Sequence, residues 1–447
     1  MARRWSRGIL VTALVAGLTP VSTPAAQAAW SDARTISQED TSGSGPDDTA
    51  TDRQGNTVVV WTTTDNSCAR PGGCGRVQLR TVSRAGTLGP IVTVSPPEHA
   101  TLYWPQVATD DDGDSVVSWE RFDAEQNIDR AYARLVSRTG VLGQLVTLGP
   151  DREHGKAPKV AIGPTGDAIV AWRGEAPGRG VVARARWIFH SGKVGALFDF
   201  TDSTEELDVA VDRTGVATIV YGGFTHNKLE ARRISPDGTL SAPRDLSLGS
   251  HEYRYYVPRI GLDRDGDARV VFKLTGQGDY GRLYGRSLSR TGKVGPAVLF
   301  TREGDPLYHY RAFAVAPDGH AIVVWSTGPY QPRLPHKVNK HTTLHGRRWA
   351  SDNSLGATVD LGSGAMSHLA LDAAGNGVLA NDFVLGPKTD DTGTQVRTVS
   401  SAGVFGAPVE LSRHGGDPLV GVAPTGETAV FWQDINPPYG LQLVTGE

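Results

Sequence analysis

The chain has 447 residues, with 45 lysines and arginines against 48 aspartates and glutamates, for a formal charge of −3. A mildly acidic protein is a poor partner for nucleic acid or an anionic membrane through bulk charge. Hydrophobic residues make up 39% of the chain, enough for a packed fold and too many for global disorder.

Residues 1–28 read as a targeting segment. Arg3, Arg4 and Arg7 give the basic start, Gly8 to Leu18 an apolar run too short for a bilayer, and Ala26-Gln27-Ala28 a cleavage signal. Trp5-Ser6-Arg7 continues a twin-arginine pattern badly, so general secretion is the expectation. No cysteine near the cleavage point invites a lipid anchor, and no later apolar run reaches transmembrane length. The mature form, residues 29–447, loses three arginines and carries a charge of about −6. The reading is a secreted, soluble monomer. Its two cysteines, Cys68 and Cys74, most simply pair as a disulfide stiffening one loop, worth about 2 kcal/mol. The alternative, a metal site, lacks nearby histidines.

From Gly55 onward one unit recurs. Its turn glycines are Gly55, Gly113, Gly166, Gly215, Gly266, Gly319, Gly375 and Gly426, a mean period of about 53 residues. Six residues after them stand Trp61, Trp119, Trp172, Tyr221, Phe272, Trp325, Asn381 and Trp432. Four residues after them every residue is aliphatic, and two after them every residue is small, a period of two that predicts a strand. The opposite face is also mostly apolar, as in Val58/Val60, Ile169/Ala171 and Ile322/Val324, so the strand is buried on both sides. The glycine turn predicts a hairpin with φ > 0. A second hairpin follows in each repeat, as in Val82-Ser83-Arg84-Ala85-Gly86 and Leu288-Ser289-Arg290-Thr291-Gly292, which makes four strands per repeat. The sixth repeat lacks this second turn motif between about Lys337 and Leu361. The eighth repeat stops after three strands, and Trp30 to Ser37 resembles the missing fourth. A ring closes in this way, whereas a solenoid needs caps. The expectation is all-β: one eight-bladed propeller domain of four-stranded antiparallel blades closed by the N-terminal strand. The alternative is seven blades, with the sixth repeat an insertion.

Through the repeated x-V-A-x-D-x-x-G-[DN]-x-V-V-x-W pattern, the chain resembles the secreted bacterial β-propellers over essentially its whole mature length. The WD40 and kelch marks are absent, and Ser235-Pro236-Asp237-Gly238-Thr239 has its glycine one place early for a sialidase-type Asp box. Hydrolases, lectins and adaptors share this architecture, so function must come from the site.

In such a blade both hairpin turns lie on one face. The variable loops lie on the other and are the expected binding face. They collect His99, Tyr103, Trp104, His154, His251, Tyr253, Tyr255, Tyr256, Tyr308, His309, Tyr310 and His414. Five of the twelve histidines fall there, in roughly a seventh of the mature chain, more than chance places. The predicted ligand contacts are Trp104, Tyr255, Tyr310, His99, His251 and His309, for a carbohydrate or an extracellular protein; each also suits packing at blade junctions. Asp110, Asp112 and Asp114, and likewise Asp263, Asp265 and Asp267, alternate across a turn as calcium ligands do. Asp also simply favours such turns, so no cofactor is expected. His336, His341 and His345 form no metal set, because residues four apart on a strand are about 13 Å apart. Glu120 and Asp382, with Arg173 and Lys273 at the same place in other repeats, end the second strands. They are the candidate acids for an alternative role as a carbohydrate-active hydrolase or lyase. No nucleophile motif appears, so a non-catalytic binding protein is the first reading.

Overall fold

The computed structural model describes residues 29–38, 45–65, 74–96, 101–123, 126–151, 153–176, 178, 180–202, 206–222, 227–249, 254–276, 281–302, 307–328, 342–364, 366–385, 392–434 and 440–446. Of Tyr308 to Arg311 only the backbone is described. The repeat folds as its alternation dictates. In the second repeat the strands are Thr101–Thr109, Ser115–Asp123, Ile128–Val136 and Leu142–Thr147, each antiparallel to the one before. Eight such four-stranded sheets form, so the seven-blade alternative falls away. First strands of successive blades pack on one another around the ring and line the axis. No helix among the described residues is long and apolar enough to cross a membrane.

The turn chemistry explains the repeated motif. All eight turn glycines have positive φ, from +78° at Gly166 to +106° at Gly426. Asp110 Oδ1 accepts the N–H groups of Asp112 and Asp114 at 3.0 and 2.9 Å, and Asp263 and Asp372 do the same in their own turns. The residue after the glycine reaches the second hairpin of its blade: Arg138 N–H donates to Asp114 Oδ1 at 2.8 Å and Arg290 N–H to Asp267 Oδ1 at 2.7 Å. Glycine is also needed for space. A Cβ on Gly113 would stand 3.1 Å from Asp52 Oδ2 of the preceding blade.

The aromatic of each second strand is a wedge. Trp61, Trp119, Trp172, Tyr221, Phe272, Trp325 and Trp432 are all at most 2% exposed. Trp119 sits against Val58, Val60 and Leu79 of the preceding blade, and Trp432 against Val378 and Ala380. Each buried ring contributes roughly 3 kcal/mol. A second device runs round the outside. Third-strand arginines tie their own fourth strand to that of the preceding blade: Arg134 Nε donates to Gly143 O at 2.8 Å and Nη1 to Val94 O at 3.0 Å. Arg80, Arg286 and Arg397 repeat the bridge.

The N-terminal strand closes the ring. Arg34 and Thr35 pair with Leu443 and Gln442, and Trp30 bridges to Gly446. The sixth repeat corrects the sequence reading: it has the same second turn. Ala350 N–H donates to Ser354 O and Asn353 N–H to Ala350 O, with Asn353 at φ +70° where the other blades use glycine. Asparagine tolerates this conformation, so the turn survives without its usual mark.

Candidate functional site

The first strands run from the variable-loop face to the hairpin face. Besides Pro46, which opens the first strand of blade 1, four of them carry a proline inside the strand: Pro105, Pro158, Pro258 and Pro418. Proline has no N–H for the ladder, and the register slips at each one. The residue before each of these four takes positive φ in the bulge: +47° at Trp104, Ala157 and Val257, and +50° at Asp417. Such bulges re-aim side chains. Carboxylates of the preceding blade hold two of them, since Ala157 N–H donates to Glu120 Oε2 at 2.8 Å and the Val257 N–H to Glu206. At blade 2 the bulge presents aromatic surface to solvent. Trp104 is 57% exposed and Tyr103 39%, with ring centroids 5.7 Å apart and a 40° tilt.

One turn of pleat deeper, the equivalent positions are Asp48, Gln106, Lys159, Asp208, Arg259, Ala312, His368 and Leu419. Several stitch one blade to the next. Val107 N–H donates to Asp48 Oδ2 at 2.9 Å, Ile260 N–H to Asp208 Oδ2 at 3.0 Å, and Lys159 Nζ to Gln106 Oε1 at 2.8 Å. Val420 N–H donates to His368 Nδ1 at 3.2 Å, so the neutral imidazole carries its proton on Nε2. Burial holds the His368 pKa down at about 4.

The ring is half charged, on blades 1, 3, 4 and 5, and half neutral. The channel leaves these side chains partly open and surrounds them with protein elsewhere. Burial lifts Asp48 to about 6, against the Val107 hydrogen bond and the cations Lys159 and Arg259. Burial lowers Lys159 to about 8, with Arg259 pushing the same way and Asp208 and Asp48 opposing. Asp47 is the extra residue of the blade 1 bulge, and Thr62 N–H and Oγ1–H both donate to its Oδ2, at 2.7 and 3.1 Å. Burial, with the like charges of Asp48 and Asp417, still lifts Asp47 to about 7. The folded state therefore keeps a proton that the unfolded chain has lost above its ordinary carboxylate pKa. Stability from this group is present at low pH and falls as pH rises through about 7. Asp47→Asn keeps the acceptor for Thr62 and removes the titration. Its melting temperature relative to wild type is expected to be near zero at pH 4.5 and to gain roughly 2–4 °C by pH 8. A difference independent of pH would refute the assignment.

The predicted residues divide. Trp104 stands open at the mouth. Tyr255 is 2% exposed, packed on Phe272, with its hydroxyl accepting Leu248 N–H at 2.8 Å, so it belongs to the blade seam. Cys68, His99, His251, His336 and His341 lie outside the described residues, as do the side chains of His309 and Tyr310. Cys74 is buried at the start of its strand. His345 sits in a strand, its Nε2 2.8 Å from Thr327 Oγ1. Glu120 and Asp382 are each 4% exposed. Glu120, raised by burial, shares its surroundings with Asp129, Lys156 and Arg173. Lys273 Nζ turns to Leu307 O of the next blade at 3.5 Å. Glu120 thus faces the seam to blade 3, where Arg173 shares its surroundings, and Lys273 faces the seam to blade 6. Asp110 and Asp263 spend Oδ1 on turn amides, and no group of three His, Cys, Asp or Glu placed for a metal occurs among the described residues. The ring of inner-strand side chains escaped the sequence reading, although the four prolines inside strands signalled the bulges.

No protein-family model matches the sequence, and no curated protein matches it. Solved structures share the fold. Polysaccharide lyase Uly1 is similar at a TM-score of 0.50 and 9% identity, over 90% of this chain and 89% of that one. A protein of unknown function from Dyadobacter fermentans is similar at 0.45 and 10%, over 94% and 99%. The β-propeller domain of the trilobed protease from Pyrococcus furiosus is similar at 0.44 and 8%, over 79% and 95%. At these identities the likeness is one of fold.

Proposed function

We propose that the chain is a secreted, non-catalytic carbohydrate-binding propeller whose ligand docks at the variable-loop mouth of the axis. The observation that carries this reading is the Tyr103–Trp104 pair, exposed on a bulge that turns it out of the blade. Sugar rings offer C–H faces that stack on such rings, while polar groups close by bind the hydroxyls. A glycan screen on the secreted protein tests it. Trp104→Ala is expected to weaken binding about tenfold or more, some 1–2 kcal/mol, with an unchanged melting temperature. Unchanged affinity with a large drop in melting temperature would make Trp104 a packing residue and sink the reading.

A second reading, a polysaccharide hydrolase or lyase, draws on different support. Asp47 at about 7, Asp48 at about 6 and Lys159 at about 8 bracket neutral pH, as acid and base groups must. The lyase Uly1 has the same fold. The glycan screen should be read for turnover as well; turnover abolished by Asp47→Asn or Glu120→Gln would favour this reading. Export and the Cys68–Cys74 pairing are checked on the same material. The intact mass should begin at Ala29 and lie two hydrogens below the reduced form. Two titratable thiols would refute the pairing.

A further inference from the structure

The mouth is not evenly charged, and the arc around Trp104 points to the kind of sugar. Blades 8, 1 and 2 are consecutive, and near-equivalent positions of their inner strands hold Asp417, Asp47 and Trp104. Blade 2 is bound directly to blade 1 here, through the Val107 N–H to Asp48 Oδ2 bond. Asp417 is exposed, on a bulge like that of Trp104. Asp48 is answered by Lys159 and Arg259. For Asp47 the main groups acting among the described residues are Thr62 and the like charges Asp48 and Asp417. Both Thr62 bonds fall on Oδ2, which leaves Oδ1 for another donor. Independently of the acids, the tilted Tyr103–Trp104 pair on the adjoining blade offers ring faces, and a ring face attracts a cation as well as a C–H surface.

We propose that the saccharide taken at this mouth is an amino sugar in its ammonium form, stacked on Trp104 with its charge directed to Asp47 and Asp417. This rests on the carbohydrate reading above. An ammonium supplies the opposite charge and the donors that Asp47 Oδ1 and the Asp417 carboxylate lack. A uronate would instead bring negative charge to a site where the like charges of Asp48 and Asp417 already raise Asp47. An N-acetyl group would remove the charge and leave only the stacking. Burial with unanswered like charge also agrees with the high pKa of Asp47, which a bound cation would bring down.

The test is calorimetry on the secreted full chain with four probes: a glucosamine tetramer, the N-acetylglucosamine tetramer, a galacturonic acid tetramer and oligolysine. At pH 6 the glucosamine oligomer is expected to bind at least tenfold more tightly than its acetylated form. Asp47→Asn and Asp417→Asn, nearly isosteric and checked by melting temperature, should each erase most of that preference. Trp104→Ala should weaken both oligomers by the same factor. Equal affinity for the two, or a preference for the galacturonate, overturns the amino-sugar assignment while leaving a Trp104-dependent carbohydrate site standing. No binding of any glycan in the wider screen sinks the carbohydrate reading itself. Binding of oligolysine without any saccharide overturns the assignment in favour of a cationic peptide.

Discussion

Ile36→Asn is expected to lower the melting temperature more than any change at the mouth, with the damage centred on blade 8. Ile36 is fully buried among Val59, Trp61, Phe431, Leu441 and Leu443, where the last blade meets the first. Losing that burial costs about 2–3 kcal/mol, and an amide without partners there adds about 1–2 more. Around this residue the closing strand is short. Arg34 and Thr35 pair in the ladder and Trp30 bridges to Gly446, supported by Ser31 N–H to Thr445 O and Ile36 N–H to Leu441 O, both at 2.8 Å, and by Leu441 N–H to Ser37 Oγ and Thr445 N–H to Ser31 Oγ, both at 3.0 Å. Arg80 of blade 1 adds Nη1–H to Ile36 O at 2.8 Å. For a ring of this size, about 4 kcal/mol corresponds to roughly 4–6 °C in a single transition. Hydrogen exchange should quicken first in residues 440–446, whose outer edge the N-terminal strand covers. A variant with wild-type melting and unchanged exchange there would mean that the ring is closed by packing elsewhere.

Why the ring was legible and the mouth was not follows from parity. Alternation tells which residues of a strand share a face as long as the register holds. The glycine turns and the wedge residues from Trp61 to Trp432 obey it in every blade, and even Asn381 is buried at the wedge position. The N-terminal strand was legible because a missing fourth strand has one possible donor. At the inner strands a proline bulge inserts a residue and reverses the parity beyond it. Trp104 sits on the bulge itself and is exposed, whereas Tyr255, two residues before the Val257 bulge, turns inward. Both looked alike as loop aromatics. The direction of the strand-end charges Glu120 and Lys273 was not legible, because sequence gives the end of a strand but not its azimuth. In the fold each leans across its own seam. The outer arginines were missed for another reason: a long side chain on a half-exposed strand looks solvated until its carbonyl partners are known.

Arg269→Met should show that two oddities of the sequence are one. At this place in the second strand the other blades carry Val58, Val116, Ile169, Thr218, Ile322, Val378 and Ala429, and a charge there stands out. Arg269 is 6% exposed. Its guanidinium enters both hairpins of blade 6, with Nε–H to Gly319 O at 3.1 Å, Nη1–H to Asn353 Oδ1 at 2.5 Å, and Nη2–H to Ala350 O and Ser351 O at 3.2 and 2.6 Å. It also lies 4.5 Å over the ring of Trp349. The sixth repeat, which replaces its turn glycine with asparagine, thus has that turn gripped from the preceding blade by a second-strand arginine, where third-strand Arg233 and Arg348 reach Arg290 O and Ser401 O in the turns of blades 5 and 7. Methionine fills much of the same volume but removes the donor to Gly319 O, Asn353 Oδ1 and Ser351 O, while Ala350 O keeps the Asn353 N–H, at an expected cost of about 3–5 kcal/mol. Lysine should rescue little, since one ammonium cannot match a planar fork spread over two turns. Asn353→Gly separates turn geometry from grip. It keeps the positive φ and removes a single acceptor, so it should cost at most about 1 kcal/mol. If Arg269→Met melts like wild type, or Arg269→Lys restores it fully, the grip is incidental and the blade 6 turn is held by its own backbone bonds.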